Sequence, residues 1–180
     1  MARIRYGEQV KDKITKVIVE ALTTIGWEVA LAAYRQRTYT NRTYNLHDSY
    51  GSAVFVDGVL VKDSVKMIER AMSKKPKKRD VRGGGSIATG REAFLHFLDN
   101  TFIVKKEDHI TLVVAAAMWY GQVVESKGYV VLDNEFVKSA VSHRWGFVLP
   151  QIISKYPDVK EFLPMIRRWV GIDEVYHYDI

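Results

Sequence analysis

The sequence contains no cysteine. A disulfide framework, a thiolate metal site and a cysteine nucleophile are therefore excluded, which fits synthesis in a reducing cytoplasm. The sequence also lacks any run of eighteen or more apolar residues, so we expect no membrane partner. The first residues, MARIRYGEQVKDK, have no apolar stretch of the kind that a secretory signal needs, and we expect no such signal.

Recognisable catalytic and cofactor-binding motifs are also missing. The chain has no Gly-x-Ser-x-Gly or His-Glu-x-x-His pattern, and GGGSIATGRE lacks the Gly-Lys-Ser/Thr ending of a phosphate-binding loop. The five histidines do not have the spacing of metal ligands. We therefore expect no cofactor, no metal and no catalytic residue, and predict that the protein is not an enzyme. The Arg-x4-His spacing of some helical ribonucleases occurs at Arg91–His96 and at Arg42–His47, which leaves a small hydrolase or ribonuclease as the weakest alternative.

Basic residues are in excess, with 27 lysines and arginines against 21 aspartates and glutamates and a formal net charge of +6. Such an excess favours acidic partners, although a solvated basic surface has the same composition. The stretch SKKPKKRDVRGGGS at 73–86 has no core-forming periodicity and is predicted to be a flexible loop. It has no aromatic residue for base stacking, so it would contact DNA phosphates or dock on an acidic partner. The side chains that would make this contact are Lys74, Lys75, Lys77, Lys78, Arg79 and Arg82.

Hydrophobic periodicity predicts a long amphipathic helix over Glu8–Gln36, where apolar residues recur at steps of three and four. Such a helix would be about 40 Å long, so either one core uses all of it or part of it packs on a neighbouring chain. The stretch Ser49–Val56 is apolar on both faces and is predicted to be a covered strand. Asp57-Gly58 is a turn signal that would join this strand to Val59–Val61 in a hairpin. A short helix over 63–72 is expected next.

A third helix is predicted to begin at Thr89, which has capping-box spacing with Glu92 ahead of an apolar run. The most apolar strand of the chain is His109–Ala117, and we expect it to be central in the sheet. The buried stripe of this third helix would be formed by Phe94, Leu95 and Leu98.

The rest of the chain is predicted to be mainly helical. A short helical turn should end at Gly128, and YVVLD at 129–133 is predicted to form another strand. A helix capped by Asp133 or Asn134 should follow and break near Pro150. The last helix would lie in YPDVKEFLPMIRRWVG, with proline near its start, glycine at its end and a proline kink inside.

This order of elements predicts an α+β fold with a long N-terminal helix, a small antiparallel or mixed β-sheet and C-terminal helices. The sequence shows no internal repeat and no sign of a second domain. We therefore expect one domain over 1–180, with the basic loop at 73–86 as a flexible excursion from it.

Two stretches of the chain, RTYNLHDSYGSAVFV and ITLVVAAAMWYGQVVESKG, together resemble the small head–tail joining proteins of tailed bacteriophages, also called neck or tail-completion proteins. In that family a long N-terminal helix precedes a Thr-x-Asn-Leu-x-x-Ser pattern that leads into the first strand. A later strand runs into a Tyr-Ala-x-x-Val-Glu-x-Gly-like turn. The departures are Tyr44 for the usual Gly, Gly121 for the frequent Ala, and two residues rather than one after the Glu. The matching residues are Thr43, Asn45, Leu46, Ser49, Tyr120, Val124, Glu125 and Gly128.

The resemblance implies a structural protein of the virion, assembled in the cytoplasm of a bacterial host. Identical subunits would form a closed homo-oligomeric ring between the portal or adaptor and the tail proteins, around the DNA path. Basic side chains facing the lumen would touch the genome through phosphates, without reading its sequence. A stand-alone nucleic-acid-binding protein that uses the basic loop is the main alternative.

The resemblance also suggests where subunits meet. In such proteins the Asn-Leu-x-x-Ser segment is the junction at which the long helix leads into the sheet, and the small residues after it allow another element to approach closely. That element is either an adjacent subunit or a part of the same chain. The candidates for the subunit interface are Asn45, Leu46, Ser49, Gly51, Ser52, Ala53, Tyr120 and Glu125.

Overall fold

The structure is a computed structural model that describes residues 2–39, 45–64, 90–100, 109–118 and 121–162. Its first element is helix α1, Ala2–Gln36, which ends where the periodicity predicts and begins six residues earlier than predicted. The buried stripe starts at Ile14 and continues to Ala33. In the turn before it, residues 9 and 11–13 are exposed, and Val10 packs against the same core while staying partly exposed.

The described residues form a sheet of three antiparallel strands in the order β2-β1-β3: β1 is Tyr50–Val56, β2 is Val59–Asp63 and β3 is Ile110–Ala116. The predicted hairpin is confirmed. Asp57 and Gly58 both have positive φ, 52° and 78°, as a two-residue turn matched to strand twist requires.

The strand at the centre of this sheet is β1, so the prediction that β3 is central is wrong. Within the described sheet, β3 pairs with β1 on one side only. Its apolar character has a different cause, because helices cover both of its faces. The register of β1 with β2 shifts between Val54 and Phe55, where a bulge makes Val61 the extra residue of β2.

Helix α1 packs on one face of the sheet, and the two come very close at Gly26. A Cβ atom at Gly26 would lie 2.7 Å from both the Leu112 Cδ1 and the Ser52 Oγ. Small residues on the helix and on β1 therefore set how closely the two layers pack.

Helix α3, Gly90–Asn100, covers the opposite face of the sheet. Phe94 and Leu98 are buried there as predicted, but Leu95 is 39% exposed, so its place in the buried stripe was wrong. The ring of Phe94 occupies the space above Gly51, and a Cβ atom at Gly51 would overlap it. The absence of a side chain at Gly51 therefore leaves the space that the Phe94 ring occupies.

Two shorter helices lie in the described first and middle parts of the chain. Helix α2 is Asn45–Asp48, directly before β1, and helix α4 is Gly121–Glu125. The predicted turn after α4 is confirmed at Gly128, whose φ is 81°. The predicted strand over 129–133 is wrong, since the backbone there is irregular.

Helix α5 is Asn134–Ile153, and Asp133 is its N-cap, accepting a hydrogen bond from the Phe136 N–H at 3.0 Å. The predicted break near Pro150 is wrong, because α5 continues through Pro150 to Ile153. The last described element is a 3-10 helix, Pro157–Phe162. The predicted helix over 63–72, apart from its first two residues, and the chain beyond 162 lie outside the described residues.

Polar contacts join the exposed side of α1 to the end of α5 and the 3-10 helix. Glu20 accepts hydrogen bonds from the Lys155 ammonium at 2.9 Å and from the Tyr156 hydroxyl at 2.8 Å. Lys155 first, and then Tyr156, hold the pKa of Glu20 below its usual value against the opposing effect of burial. Lys13 pairs with Asp158 about two turns nearer the N-terminus of α1.

The segment Gln9–Gln36 of α1 is long and apolar enough to cross a membrane by length and composition, a test that the core helix of a soluble protein also passes. Half of its apolar window is buried inside the structure. The apolar stripe of α1 packs against the sheet and α5 in one shared core. The fold is α+β, as predicted.

Two glycine-to-alanine substitutions test the close packing of Phe94 on Gly51. Gly51→Ala should destabilise the protein by about 1–3 kcal/mol, because the new methyl group overlaps a buried ring. The same change at Gly146, in the exposed middle of α5 with open space around it, should stabilise by about 0.5–1 kcal/mol. Urea unfolding followed by circular dichroism measures both. Equal effects at the two sites would contradict the packing described.

Candidate functional site

The two stretches that carry the family resemblance come together in space. The Ala117 N–H donates to the Ser49 carbonyl at 3.1 Å, which ties the end of β3 to the start of β1. A Cβ atom at Gly121 would lie 3.7 Å from the Leu46 Cδ1 and 3.8 Å from the Val131 Cγ1. We call this meeting place of α2, the start of β1, α4 and the segment 129–132 the junction.

Tyr50 is the central side chain of the junction and is fully buried. Its hydroxyl accepts a hydrogen bond from the Tyr39 hydroxyl at 3.4 Å and donates one to the Val131 carbonyl. The ring of Tyr34 packs edge-on against Tyr50, with 5.6 Å between ring centroids. These contacts connect the end of α1 to β1 and to the segment 129–132.

The hydroxyls of the junction are held in their neutral form. Burial is the main cause that raises the pKa of Tyr50 to about 12. Burial, followed by the proximity of Tyr50, also raises the pKa of Tyr39. A phenol that keeps its proton at neutral pH is a poor base and a poor nucleophile. The arrangement suits a structural joint.

Arg37 directly follows helix α1 and packs on Tyr34 at one side of the junction. Its guanidinium stacks on the Tyr34 ring at 3.8 Å from the centroid, and its Nη1 donates to the Tyr34 carbonyl at 2.9 Å. The next residue continues the connection, since the Val130 N–H donates to the Thr38 Oγ1 at 2.9 Å. The Thr38 N–H donates in return to the Val130 carbonyl at 3.3 Å.

Glu125 closes the loop that follows α4. Its Oε1 accepts a hydrogen bond from the Leu132 N–H at 3.0 Å, and the Gly128 N–H donates to the Glu125 carbonyl at 2.8 Å. Gly128 has a positive φ, a conformation that glycine adopts at little cost in free energy, and this permits the turn. The Glu and Gly of the second stretch thus shape one loop.

The small and polar residues of the first stretch have partners inside the chain. The Ser49 Oγ donates to the Leu46 carbonyl at 2.8 Å, and the Ser52 N–H donates to the Ser64 Oγ at 2.8 Å. Packing within the chain is the alternative that the sequence left open, and it accounts for these residues without a neighbouring subunit. The proposed interface side chains that are buried in this way are Leu46, Ser49, Gly51, Ser52 and Ala53.

Other predicted site residues are placed differently. Glu125 is partly exposed, and its carboxylate is used within the chain. Asn45 opens α2, and its side chain is not among those described. Tyr120 and all six basic residues of the predicted DNA-contacting or partner-contacting loop lie outside the described residues, so those hypotheses stay predictions.

Strand β2 is an exposed apolar surface that the sequence did not reveal. Val59, Leu60 and Val61 are 58%, 39% and 41% exposed. The sequence VLV predicts a strand, but it does not indicate that this strand lies at the edge of the sheet. Phe147 of α5 is also exposed, with the His143 ring 5.0 Å away.

No group of three or more His, Asp or Glu side chains suited to a metal ion occurs among the residues described. Comparison with family models, with curated proteins and with solved structures gives no match for this chain. The features of the chain that bear on its function are therefore the junction, the exposed strand β2 and the distribution of charge.

Removal of the Tyr50 hydroxyl tests the junction. Tyr50→Phe should cost about 1–3 kcal/mol at neutral pH, because the Val131 carbonyl loses its buried donor. Tyr129→Phe, at an exposed tyrosine, is the matched control and should change little.

The same pair of variants gives a distinct signature at high pH. The folded state holds the Tyr50 proton more tightly than the unfolded chain does. The contribution of Tyr50 to the free energy of unfolding should therefore be complete below pH 10 and decrease as the pH rises towards about 12. Tyr50→Phe should flatten this decline, and Tyr129→Phe should not. Chemical unfolding at a series of pH values measures it, and identical slopes in all three proteins would disprove the role given to Tyr50.

Proposed function

We propose that this chain is a structural subunit of the head–tail connector of a tailed bacteriophage, forming a ring that joins the portal to the tail around the DNA path. The observation that carries the proposal is the junction. Two stretches that are separate in the sequence resemble the same family, and they form one joint in the fold through Ser49, Leu46 and Gly121. A chance resemblance in two places would give no reason for them to meet.

The hydrogen bonding of the junction supports a structural role. The Tyr50 hydroxyl, the Glu125 carboxylate and the Ser49 hydroxyl each hold a backbone group of a neighbouring segment. A joint of this kind fixes the long helix relative to the sheet. Rigid subunits of defined shape are what a closed ring with repeated contacts requires.

The distribution of charge supports a contact with DNA or with an acidic partner. The segment 65–89 contains eight of the 27 basic residues and two of the 21 acidic ones, which leaves 19 of each sign elsewhere. The formal net charge of +6 therefore belongs to this one segment. It leaves the described structure after Ser64 and returns at Gly90, which are both buried. We propose that its cations face the lumen and contact phosphates of the genome without sequence readout.

Ring formation is the first test. Native mass spectrometry over a range of protein concentrations, with negative-stain images of the same samples, should show closed rings of one stoichiometry. A matched sample without Lys74–Arg82 should still form rings, because the core and the junction are unchanged. A protein that remains monomeric in both samples, and that binds DNA only when the basic segment is present, would contradict the ring.

The alternative is a stand-alone nucleic-acid-binding protein, and the charge of segment 65–89 favours it. Duplex DNA binding measured by fluorescence anisotropy between low and moderate salt tests the segment in either case. Replacing its six proposed cations by glutamine should reduce the slope of log K against log salt by up to about five, since each neutralised phosphate contributes about 0.9. Neutralising Lys127 and Lys160, which are exposed lysines elsewhere, should change the slope far less. An unchanged slope in the first variant would exclude the segment as the DNA contact.

A further inference from the structure

We propose that β2 of one subunit docks against β3 of the next copy, so that the sheet continues across the subunit boundary. The proposal rests on the ring described above and names the surface that builds it. It follows from what the two outer strands of the sheet expose.

The outer side of β2 is an unprotected apolar edge. All five of its residues are exposed, and three of them, Val59, Leu60 and Val61, are apolar and consecutive. Natural edge strands are usually protected by charges, prolines or bulges, since an open edge pairs with other chains. Here the bulge at Val61 and the charges of Lys62 and Asp63 protect the second part of the strand, which leaves Val59 and Leu60 without such protection. The first half is available for a specific contact.

The opposite edge of the described sheet has matching chemistry. Strand β3, ITLVVAA, contains no charge and no proline over its seven residues. Within the described sheet its only partner strand is β1, and its residues 110–113 are partly exposed. An apolar edge that carries no protecting charge is a suitable surface for Val59 and Leu60. The two edges differ from each other, as a head-to-tail contact requires.

The topology decides which copies can pair. Both β2 and β3 are antiparallel to β1, so β2 and β3 run in the same direction. A rotated copy in a ring would therefore place β3 beside β2 in parallel. A twofold dimer would place β2 beside β2 instead, and such a contact uses up the surface without closing a ring.

The size of the exposed surface also favours a repeated contact between copies. Stable complexes bury about 800 Å² on each partner, which three partly exposed side chains do not supply. A single contact of this kind is weak. In a closed ring every subunit makes it twice, and all open edges disappear.

The strand register within one subunit identifies two positions on the same face of the sheet that are suitable for cross-linking. Phe55 lies opposite Leu60 of β2 and also opposite Thr111 of β3, so all three belong to one row on the face that α3 covers. In one subunit, Leu60 and Thr111 are separated by β1, at about 9–10 Å, beyond the reach of a disulfide. A disulfide between cysteines at these positions must join two subunits. The chain has no native cysteine to interfere.

The experiment oxidises the double variant Leu60→Cys with Thr111→Cys at low protein concentration and analyses it by denaturing electrophoresis without reductant. We expect a ladder of covalent oligomers that ends at the ring stoichiometry and collapses to monomer with reductant. Leu60→Cys alone should remain monomeric. Val59→Cys with Thr111→Cys, whose side chains lie on opposite faces of the sheet, should give far less product. Circular dichroism confirms that each variant is folded.

The outcomes separate this inference from the proposed function. Rings in negative-stain images with no ladder from Leu60→Cys paired with Thr111→Cys, or paired with Val113→Cys on the same face of β3, would overturn the β2–β3 contact and leave the ring standing. A dimer from Leu60→Cys alone would overturn it in favour of twofold β2–β2 pairing. A protein that forms neither rings nor a ladder would overturn the ring and the contact together.

Discussion

The burial of β1 on both faces is the constraint on which the rest of this structure depends. Helix α1 approaches one face so closely that Gly26 has no room for a side chain beside Ser52. Helix α3 places the Phe94 ring on the other face, directly over Gly51. Larger residues at these positions would push the layers apart and lose the dispersion contacts of a close-packed interior. The glycine, serine and alanine at the start of β1 are explained by this packing.

The junction connects that packing to the rest of the chain through hydrogen bonds. Tyr50, the first residue of β1, reaches the Val131 carbonyl with its buried hydroxyl, and Glu125 holds the Leu132 N–H. These residues come from segments about 80 positions apart. A polar group that is buried in this way is stable only when its partner is in place, so the joint also selects one arrangement of its segments. A subunit with a fixed shape is the basis of the assembly proposed here.

Part of the candidate site could be predicted from the sequence and part could not. The Asn-Leu-x-x-Ser stretch marked the position where α1 leads into β1, and Leu46 and Tyr50 are buried there. The same stretch gave no means of deciding whether its small residues contact the same chain or another one. The exposed edge of β2 was missed because an apolar triplet in a strand usually indicates burial. Its position at the edge depends on the order in which strands pair.

Local physical chemistry was determined by the sequence itself. The Asp-Gly turn, the Asp133 cap and the amphipathic stripe of α1 each depend on residues within a few positions of one another, whose backbone and hydrogen-bond preferences act in any context. Tertiary structure alone decided that β1 is central, that Leu95 is exposed and that α5 continues through Pro150. These outcomes depend on contacts between residues far apart in the chain. Burial against another element is worth more than a local preference, and no local pattern shows which element will be there.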